Sequence, residues 1–252
     1  MSRIALITGA TSGIGKAAAF ALASDNIDLI ITGRREELLS LIAREITDKY
    51  GVKVLPLAFD IREYSQVSES ISKLPSQWKE VDILINNAGL AVGLNSIDSG
   101  VLDDWERMID TNIKGLLYIS RIVSENMKER GCGHIINVGS IAGKSVYPAG
   151  NVYCATKHAV DALSKGMLMD LYQYNIKVSQ ICPGAVETEF SEVRFKGDKE
   201  KAASVYKGFT PLSADDVANV IKYMVSAPSH VNIADVVIMP TAQASPTLIK
   251  KQ

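Results

Sequence analysis

Short apolar runs alternate with longer amphipathic segments along the whole chain. The runs are rich in Ile, Val and Leu, which is typical of buried parallel strands, and the segments between them have helical spacing. This pattern predicts strands over residues 4–8, 27–32, 52–59, 81–86, 134–139, 177–182 and 236–239. It predicts helices over residues 13–24, 36–50, 65–74, 103–130, 151–174 and 215–226.

The repeated strand–helix order predicts the fold class. Right-handed crossovers between parallel strands place helices on both faces of one sheet, so we expect an α/β, doubly wound fold with a mostly parallel, seven-stranded sheet. No linker, repeat or low-complexity tract interrupts the series, and residues 1–252 are therefore interpreted as one domain. Residues 187–210 are charged and weakly periodic, which suggests a mobile lid above the sheet.

Charge and composition narrow the classes of partner. The chain has 27 Lys and Arg residues against 28 Asp and Glu, so no basic excess favours binding to nucleic acid or to a membrane surface. The apolar runs are far shorter than the roughly 20 residues of a membrane span. Three scattered cysteines without a CxxC pair indicate neither a disulfide framework nor a metal site. Because the first strand follows residue 3 directly, without a signal sequence, we expect a cytoplasmic location.

A glycine-rich turn connects the first predicted strand to an alanine-rich helix. Residues 8–15 read Thr-Gly-Ala-Thr-Ser-Gly-Ile-Gly. Glycine lets the backbone approach a pyrophosphate closely, and the free N–H groups and positive dipole end of a helix attract the anion. The spacing GxxxGxG differs from the common GxGxxG fingerprint, and a tight turn whose glycines serve only packing is the alternative. The strand–turn–helix context favours a dinucleotide cofactor.

The end of the second strand indicates which dinucleotide is bound. A dinucleotide fold normally has an acidic residue about 20 positions after the glycine turn, where it binds the ribose 2′-hydroxyl of NAD. This chain has Gly33 there, followed by Arg34 and Arg35, whose guanidinium groups suit a 2′-phosphate. The pattern therefore favours NADP. The alternative is that both arginines are solvated and paired with Glu36 and Glu37.

Two further strand ends carry residues that are placed to contact the nucleotide. Asp60 and Ile61 follow the third strand and are assigned to the adenine, and residues 86–89, Asn-Asn-Ala-Gly, follow the fourth strand. Ligands of doubly wound sheets bind at the carboxyl ends of the strands, which is where both segments lie.

A tyrosine and a lysine four residues apart carry the sharpest chemical signal. Tyr153 and Lys157 share one face of a predicted helix, and Ser140 lies thirteen residues upstream of the tyrosine, at the end of a strand. An adjacent ammonium group is expected to lower the pKa of the phenol from about 10. Tyr153 can then accept an alcohol proton or donate one to a ketone while Ser140 binds the same oxygen. The alternative is a surface pair that meets by chance.

The motifs resemble those of the short-chain dehydrogenases/reductases in order and spacing over almost the whole chain. They are TGATSGIG, DI, NNAG, TNIKG, VGSIAG, YCATK and PGAVET. The resemblance implies a Rossmann-like fold and a catalytic set of Asn112, Ser140, Tyr153 and Lys157, in which Asn112 positions a water and Lys157 also holds the nicotinamide ribose. It implies a homotetramer assembled through helices 103–130 and 151–174. It implies that the cofactor is bound by Gly9, Thr11, Ser12, Gly13, Ile14, Gly15, Asn87, Ala88, Gly89, Pro183, Gly184, Val186 and Thr188.

Several segments, including residues 32–35, 74–78, 150–153 and 189–198, look more closely like those of the NADP-dependent 3-hydroxy acid dehydrogenases, which oxidise serine and allo-threonine. A small hydroxy acid needs a cation for its carboxylate. Arg194 in the predicted lid is our candidate, and Lys196 is the second. The alternative for Arg194 is a solvated lid residue. Residues 242–252 match no expected element.

Other functions remain open at this point. A reductase for carrier-bound 3-oxoacyl groups or bulky carbonyls would use the same catalytic set, and a relative that binds NADP as a sensor would have lost turnover. A serine hydrolase is disfavoured, because no GxSxG surrounds Ser140 and His134, His158 and His230 form no recognisable order with an acid.

Overall fold

The computed structural model describes residues 2–252, and within them seven strands form one sheet. The strands are β1 (Ile4–Ile7), β2 (Asp28–Gly33), β3 (Val54–Ala58), β4 (Ile83–Asn86), β5 (Gly133–Val138), β6 (Ile176–Pro183) and β7 (Asp235–Ile238). The helices are α1 (Gly13–Ala23), α2 (Glu36–Tyr50), α3 (Tyr64–Ser72), α4 (Leu102–Ile109), α5 (Leu116–Arg130), α6 (Asn151–Leu171), α7 (Phe190–Arg194), α8 (Lys199–Ser204) and α9 (Ala214–Ser226).

The strand order is β3-β2-β1-β4-β5-β6-β7, and every pair of neighbours is parallel. The predicted α/β, doubly wound fold is therefore confirmed. The order reverses between β1 and β4, where the chain leaves one half of the sheet and begins the other. Doubly wound sheets form a ligand crevice outside the carboxyl ends of the strands at this point.

The two faces of the sheet carry separate apolar cores. Successive side chains of a strand point to opposite faces, so Ile7 and Ile31 pack in one core while Leu6 and Ile30 pack in the other. Helices α1, α2 and α9 cover the first face, and α3, α5 and α6 cover the second. Two-sided burial explains why the strands are apolar throughout. No helix within residues 2–252 is long and apolar enough to cross a membrane.

The helix predicted over residues 103–130 is not continuous. A π-helical turn at Asp110–Gly115 separates α4 from α5. Its i→i+5 hydrogen bonds insert one residue into the helix, and such turns are frequent at functional sites. The apolar spacing on either side still looks helical, so a periodicity of 3.6 residues does not reveal the insertion.

The predicted lid region contains regular structure. Helices α7 and α8 lie within residues 187–210 and are joined by a turn in which Lys196 and Gly197 have positive φ angles of 54° and 91°. The C-terminal residues, which the sequence pattern does not place, fold into a narrow antiparallel loop in which Gln243 pairs with Ile249.

Candidate active site

A cavity of about 400 Å³ opens at the carboxyl edge of the sheet, where the strand order reverses. Ser140 lies in its wall, next to the strand end of β5. The cavity brings together nearly all the residues that the sequence assigns to the cofactor. They are Gly9, Thr11, Ser12, Gly13, Ile14, Arg34, Arg35, Asp60, Ile61, Asn87, Ala88, Gly89, Tyr153, Lys157, Pro183, Gly184, Val186 and Thr188.

Gly15 is the exception among those residues, because it is buried behind the cavity wall. A Cβ atom at this position would clash with the carbonyl oxygen of Gly9 and the side chain of Asn87. The third glycine of the motif therefore permits α1 to pack closely against the preceding turn, and we do not expect it to touch the nucleotide.

The glycine turn presents backbone donors to the cavity. Gly9 and Gly13 have positive φ angles of 67° and 52°, a conformation that side chains disfavour. Ser12 caps α1 without a side-chain hydrogen bond, so the first N–H groups of the helix stay available for an anion. Asn87 Nδ2 donates to the carbonyl oxygens of Thr8 and Gly9 at 2.8 and 3.0 Å, which fixes the turn to the end of β4.

Arg34 and Arg35 do not form ion pairs with Glu36 and Glu37. Arg35 donates from Nη2 to Thr11 Oγ1 at 2.8 Å, and the same guanidinium contacts Glu189 Oε2 at 3.2 Å. Arg34 is exposed at the cavity mouth and forms no ion pair with any residue in the described part of the chain. Two guanidinium groups and the Thr11 hydroxyl therefore face one corner of the cavity.

The neighbouring carboxylate is already engaged. Asp60 accepts a bidentate contact from Arg62, with 2.6 Å between Oδ2 and Nη2. Burial works to raise the pKa of Asp60, but the hydrogen bonds and charge of Arg62, with a smaller contribution from Arg34, hold it below its usual value. A contact between Asp60 and an adenine would thus have to coexist with the Arg62 pair.

Tyr153 and Lys157 point into the same cavity from α6. Their exposed fractions are only 8% and 7%. The Lys157 ammonium donates to the Val138 carbonyl oxygen at 2.9 Å, which anchors the lysine to the end of β5. Ser140, at the next turn, accepts a hydrogen bond from the Ala142 N–H group at 3.1 Å. Strand β5 and helix α6 thus converge on one point.

The pKa of Tyr153 does not move as the charge argument predicts. Burial raises it above its ordinary value, while the Ser140 hydroxyl and the Arg194 charge act in the opposite direction. Burial also lowers the pKa of Lys157 to about 8, opposed by the nearby Cys182. Loss of water around the phenol, which residue spacing does not show, outweighs the Ser140 hydrogen bond and the Arg194 charge, so the pKa of Tyr153 lies above its ordinary value.

The pKa of Lys157 gives a pH-dependent stability that can be measured. A folded pKa of about 8 against an ordinary 10.5 means that the unfolded chain binds the proton more tightly. The free energy of unfolding contributed by this group therefore rises between about pH 8 and pH 10.5. Relative to Lys157→Met, the wild type should gain on the order of 1 kcal/mol between pH 8 and 9.5 in urea unfolding.

The matched control for that measurement is Lys79→Met, which removes an exposed lysine. It should keep the pH dependence of the wild type. A Lys157→Met variant with the same pH dependence as the wild type would contradict the lowered pKa.

Asn112 lies in the π-helical turn and faces the lysine. Its Oδ1 accepts from the Leu90 N–H group and its Nδ2 donates to the Leu90 carbonyl oxygen, both at 2.8 Å. A Cβ atom built on Gly89 would lie 3.2 Å from Asn112 Oδ1 and 3.6 Å from Lys157 Nζ. The amide and the ammonium therefore approach the same small space, which only a glycine leaves open.

Arg194 is not a solvated lid residue. Its Nη2 donates to the Tyr147 hydroxyl at 2.7 Å, and its guanidinium carbon lies 5.7 Å from the centre of the Tyr153 ring. Its Nε is buried and has no hydrogen-bond partner within residues 2–252. Arg194 does not line the 400 Å³ cavity itself, whereas Phe190 and Val193 of the same helix do. Lys196, the second candidate, is instead paired with the buried Asp104 at 2.8 Å.

Sequence reasoning missed several residues of the site. The Tyr147 hydroxyl holds Arg194, the Phe190 ring lies 5.7 Å from the Tyr153 ring, and Glu189 holds Arg35. Arg107 of α4 also lines the cavity. The sequence shows Arg107 only as a charged residue on a predicted helix. The contacts of Tyr147, Phe190 and Glu189 join residues that are far apart in sequence, so no local pattern reveals them.

The histidines do not provide a hydrolase triad. His134 lies in β5 beside Ser179, at 2.8 Å, and burial lowers its pKa to about 3. The exposed His158 contacts the carbonyl oxygen of Cys154. Neither of these two histidines is bonded to Ser140, so a base for a nucleophilic serine is not in place.

We compared the chain with protein-family models and with known proteins, and the matches fit the residues found in the cavity. The family model described as short chain dehydrogenase matches residues 3–199. An NADP-dependent 3-hydroxy acid dehydrogenase, YdfG, from Salmonella typhi is 44% identical over 242 residues, which cover 96% of each chain. The NADP-dependent 3-hydroxy acid dehydrogenase of Schizosaccharomyces pombe is 41% identical and covers 94% of this chain and 92% of its own.

Solved structures give the same result. The closed form of a serine dehydrogenase complexed with NADP+ has a TM-score of 0.92 and 41% identity, with 99% of each chain covered. The serine dehydrogenase from Escherichia coli has a TM-score of 0.82 and 37% identity, covering 96% of this chain and 99% of that one. The resemblance inferred from the motifs is confirmed, and the chain belongs to the short-chain dehydrogenase family.

Proposed function

We propose that this protein is an NADP-dependent oxidoreductase that oxidises a small 3-hydroxy acid, such as serine or allo-threonine, at its hydroxyl-bearing carbon. Similar proteins include NADP-dependent 3-hydroxy acid dehydrogenases and a serine dehydrogenase complexed with NADP+. The observation that carries the substrate class is the buried, unpartnered Nε of Arg194 beside the Tyr153 ring. A buried guanidinium donor without a partner favours an anionic ligand group.

The residues of the cavity fit the proposed cofactor. The glycine turn and the uncapped start of α1 suit a pyrophosphate, and the corner formed by Thr11, Arg34 and Arg35 suits a 2′-phosphate. We assign Asp60 and Ile61 to the adenine, residues 87–89 to the ribose side, and Lys157 to the nicotinamide ribose. When bound there, the nicotinamide would supply the hydride acceptor or donor of the reaction. Its cover would be formed by Pro183, Gly184, Val186 and Thr188.

Tyr153 moves the proton that accompanies hydride transfer. In oxidation, the substrate hydroxyl loses its proton to the Tyr153 oxygen, and Ser140 binds the same substrate oxygen. Because burial raises the pKa of Tyr153, the base form depends on positive charge nearby, which Arg194 supplies and to which we propose Lys157 adds. Asn112 shares the space next to Lys157 and is proposed to hold a water that returns the proton towards solvent.

Arg194 and Tyr147 would bind the substrate carboxylate. The Tyr147 hydroxyl fixes Nη2 of the guanidinium, which leaves the Nε–H group free to donate to a carboxylate oxygen. Arg194 ends α7, and its carbonyl oxygen accepts from the Gly93 N–H group at 2.9 Å, so α7 is tied down over the site. We propose that residues 187–210 act as the substrate lid of a single catalytic domain, 1–252.

A panel of substrates tests the proposed reaction class. NADP and NAD are each supplied with serine, allo-threonine, the carboxylate-free analogue serinol and, with the reduced cofactors in the reverse direction, a 3-oxoacyl thioester. We expect the highest kcat/KM with NADP and a 3-hydroxy acid, read from absorbance of the reduced cofactor. Preference for the thioester would identify a 3-oxoacyl reductase instead, and cofactor binding without turnover on any of them would identify a sensor.

Replacing Arg194 tests the carboxylate site. In Arg194→Ala and in the volume-conserving Arg194→Met, kcat/KM for serine should fall by about 100-fold, because charge-assisted hydrogen bonds are lost. With serinol, which lacks the carboxylate, kcat/KM should change by less than about threefold, since no charged contact is removed. Arg121→Ala, an exposed arginine of α5, serves as the matched control. Equal losses on serine and serinol would remove Arg194 from the carboxylate site.

We also propose a cytoplasmic homotetramer assembled through α4, α5 and α6. Exposed apolar side chains on these elements and at their ends support this assembly, because contact with a neighbouring copy would bury them. They include Leu102, Leu117, Met169 and Tyr172. Light scattering of the purified protein should give four chains per particle, and Met169→Arg should lower that number.

A further inference from the structure

The C-terminal tail contacts the segment that follows β6, and this segment forms part of the cavity wall. Pro183, Gly184, Val186 and Thr188 line the cavity, whereas Ala185 does not. Contacts that hold this segment in place therefore determine where the proposed nicotinamide cover lies.

Hydrogen bonds from both backbone and side-chain atoms hold this segment in place. The Gly184 N–H group donates to the Ile238 carbonyl oxygen at 2.7 Å, and the Ala185 carbonyl oxygen accepts from Leu212 N–H at 2.9 Å. The Ala185 N–H group instead donates to a side chain, Oε1 of Gln243, at 2.8 Å. An amide from the tail thus replaces a strand partner at this position.

Gln243 is buried, and both atoms of its side-chain amide form hydrogen bonds. Its exposed fraction is 7%, and its Nε2 donates to the Ser245 carbonyl oxygen at 3.2 Å. A Cβ atom on Gly184 would clash with Gln243 Oε1. The glycine therefore permits the close approach of the amide to the segment, and both ends of the amide have partners.

The tail is itself anchored at a second place. Lys250 N–H donates to the Ala242 carbonyl oxygen at 2.8 Å, which closes the narrow loop that carries Gln243. Gln252 N–H donates to the Gly208 carbonyl oxygen at 2.8 Å. The tail therefore connects the start of the lid region, next to Ala185, with its end, next to Gly208.

We propose that Gln243 is a positioning residue for hydride transfer. By holding Ala185 it fixes residues 183–188 against the nicotinamide half of the cofactor, so the reacting carbon atoms keep their geometry. Small misplacements at a reacting centre reduce the rate steeply. The inference rests on the proposed function in one respect, namely that these residues cover the nicotinamide.

The test compares two ligands that share only the adenosine half of the site. In Gln243→Met, the Kd of NADPH should rise by about tenfold, since a buried hydrogen bond is lost, while the Kd of 2′,5′-ADP should stay within about twofold. Turnover should fall with an increased deuterium isotope effect from C3-deuterated serine. Thr241→Ala, an exposed change in the same tail, is the matched control and should behave as the wild type.

Equal weakening of both ligands, or no change in either, would overturn the positioning role. A wild-type protein that bound neither ligand would contradict the proposed function itself. If Gln243→Met does not fold, Gln243→Glu replaces it. Its neutral carboxyl can both accept from Ala185 N–H and donate to Ser245, so its turnover relative to the wild type should recover as the pH falls. A flat ratio would also overturn the proposal.

Discussion

Replacing Tyr153 with phenylalanine should reduce kcat by about 1,000-fold or more, because the variant loses the hydroxyl that we propose exchanges a proton with the substrate oxygen. The ring would remain packed against Phe190, whose ring centre lies 5.7 Å away, so the fold around it should persist. The Kd of NADPH should stay within a few-fold of the wild type. Steady-state turnover and fluorescence titration of NADPH measure the two effects separately.

The matched control is Tyr223→Phe, which removes an exposed phenol on α9. This variant should turn over like the wild type. Normal turnover of Tyr153→Phe would show that the proton moves through another group, and a large loss of NADPH affinity would show that the phenol chiefly binds cofactor.

Removing either guanidinium group from the cavity corner should change cofactor preference. In Arg34→Ala and Arg35→Ala, the KM for NADP should rise by about 100-fold while that for NAD changes by less than about threefold, because only NADP carries the 2′-phosphate. The measurement is kcat and KM for both cofactors at a saturating concentration of the preferred substrate. A parallel rise for NAD would show that the arginines do not read the 2′-phosphate.

Glu189 offers a reciprocal variant for the same experiment. Its carboxylate contacts Arg35 at 3.2 Å and would compete with a 2′-phosphate for the same guanidinium. The pair is half exposed and contributes little to stability, so a phosphate can displace it. Glu189→Gln should therefore lower the KM for NADP about threefold and leave that for NAD unchanged. An unchanged KM for NADP would contradict this competition.

The fold and the floor of the site could be predicted because local patterns encode them. Buried parallel strands are apolar in short runs, a glycine turn is contiguous, and Tyr153 and Lys157 lie one helical turn apart. Each of these signals falls within a few residues of sequence. The residues that they identified line one cavity, with Gly15 behind its wall.

The contacts that shape the rest of the site join distant residues. Arg35 meets Glu189, Arg194 meets Tyr147, and Ala185 meets Gln243. No periodicity connects such pairs, because they depend on how loops pack after the sheet has formed. The prediction of a lowered pKa for Tyr153 was wrong for a related reason. Burial raises this pKa, and the burial of one side chain depends on the whole fold.

The π-helical turn at Asp110–Gly115 has a consequence for deletions between α4 and α5. A π-helical turn takes up one extra residue while the helix on either side keeps its register, so removing one residue here would restore regular geometry and leave Ile119 and Val123 packed against the sheet. The loss would fall on the turn itself, where Asn112 is held to Leu90. Shortening the chain by one amino acid at this point would therefore make the helix more regular and the catalyst worse.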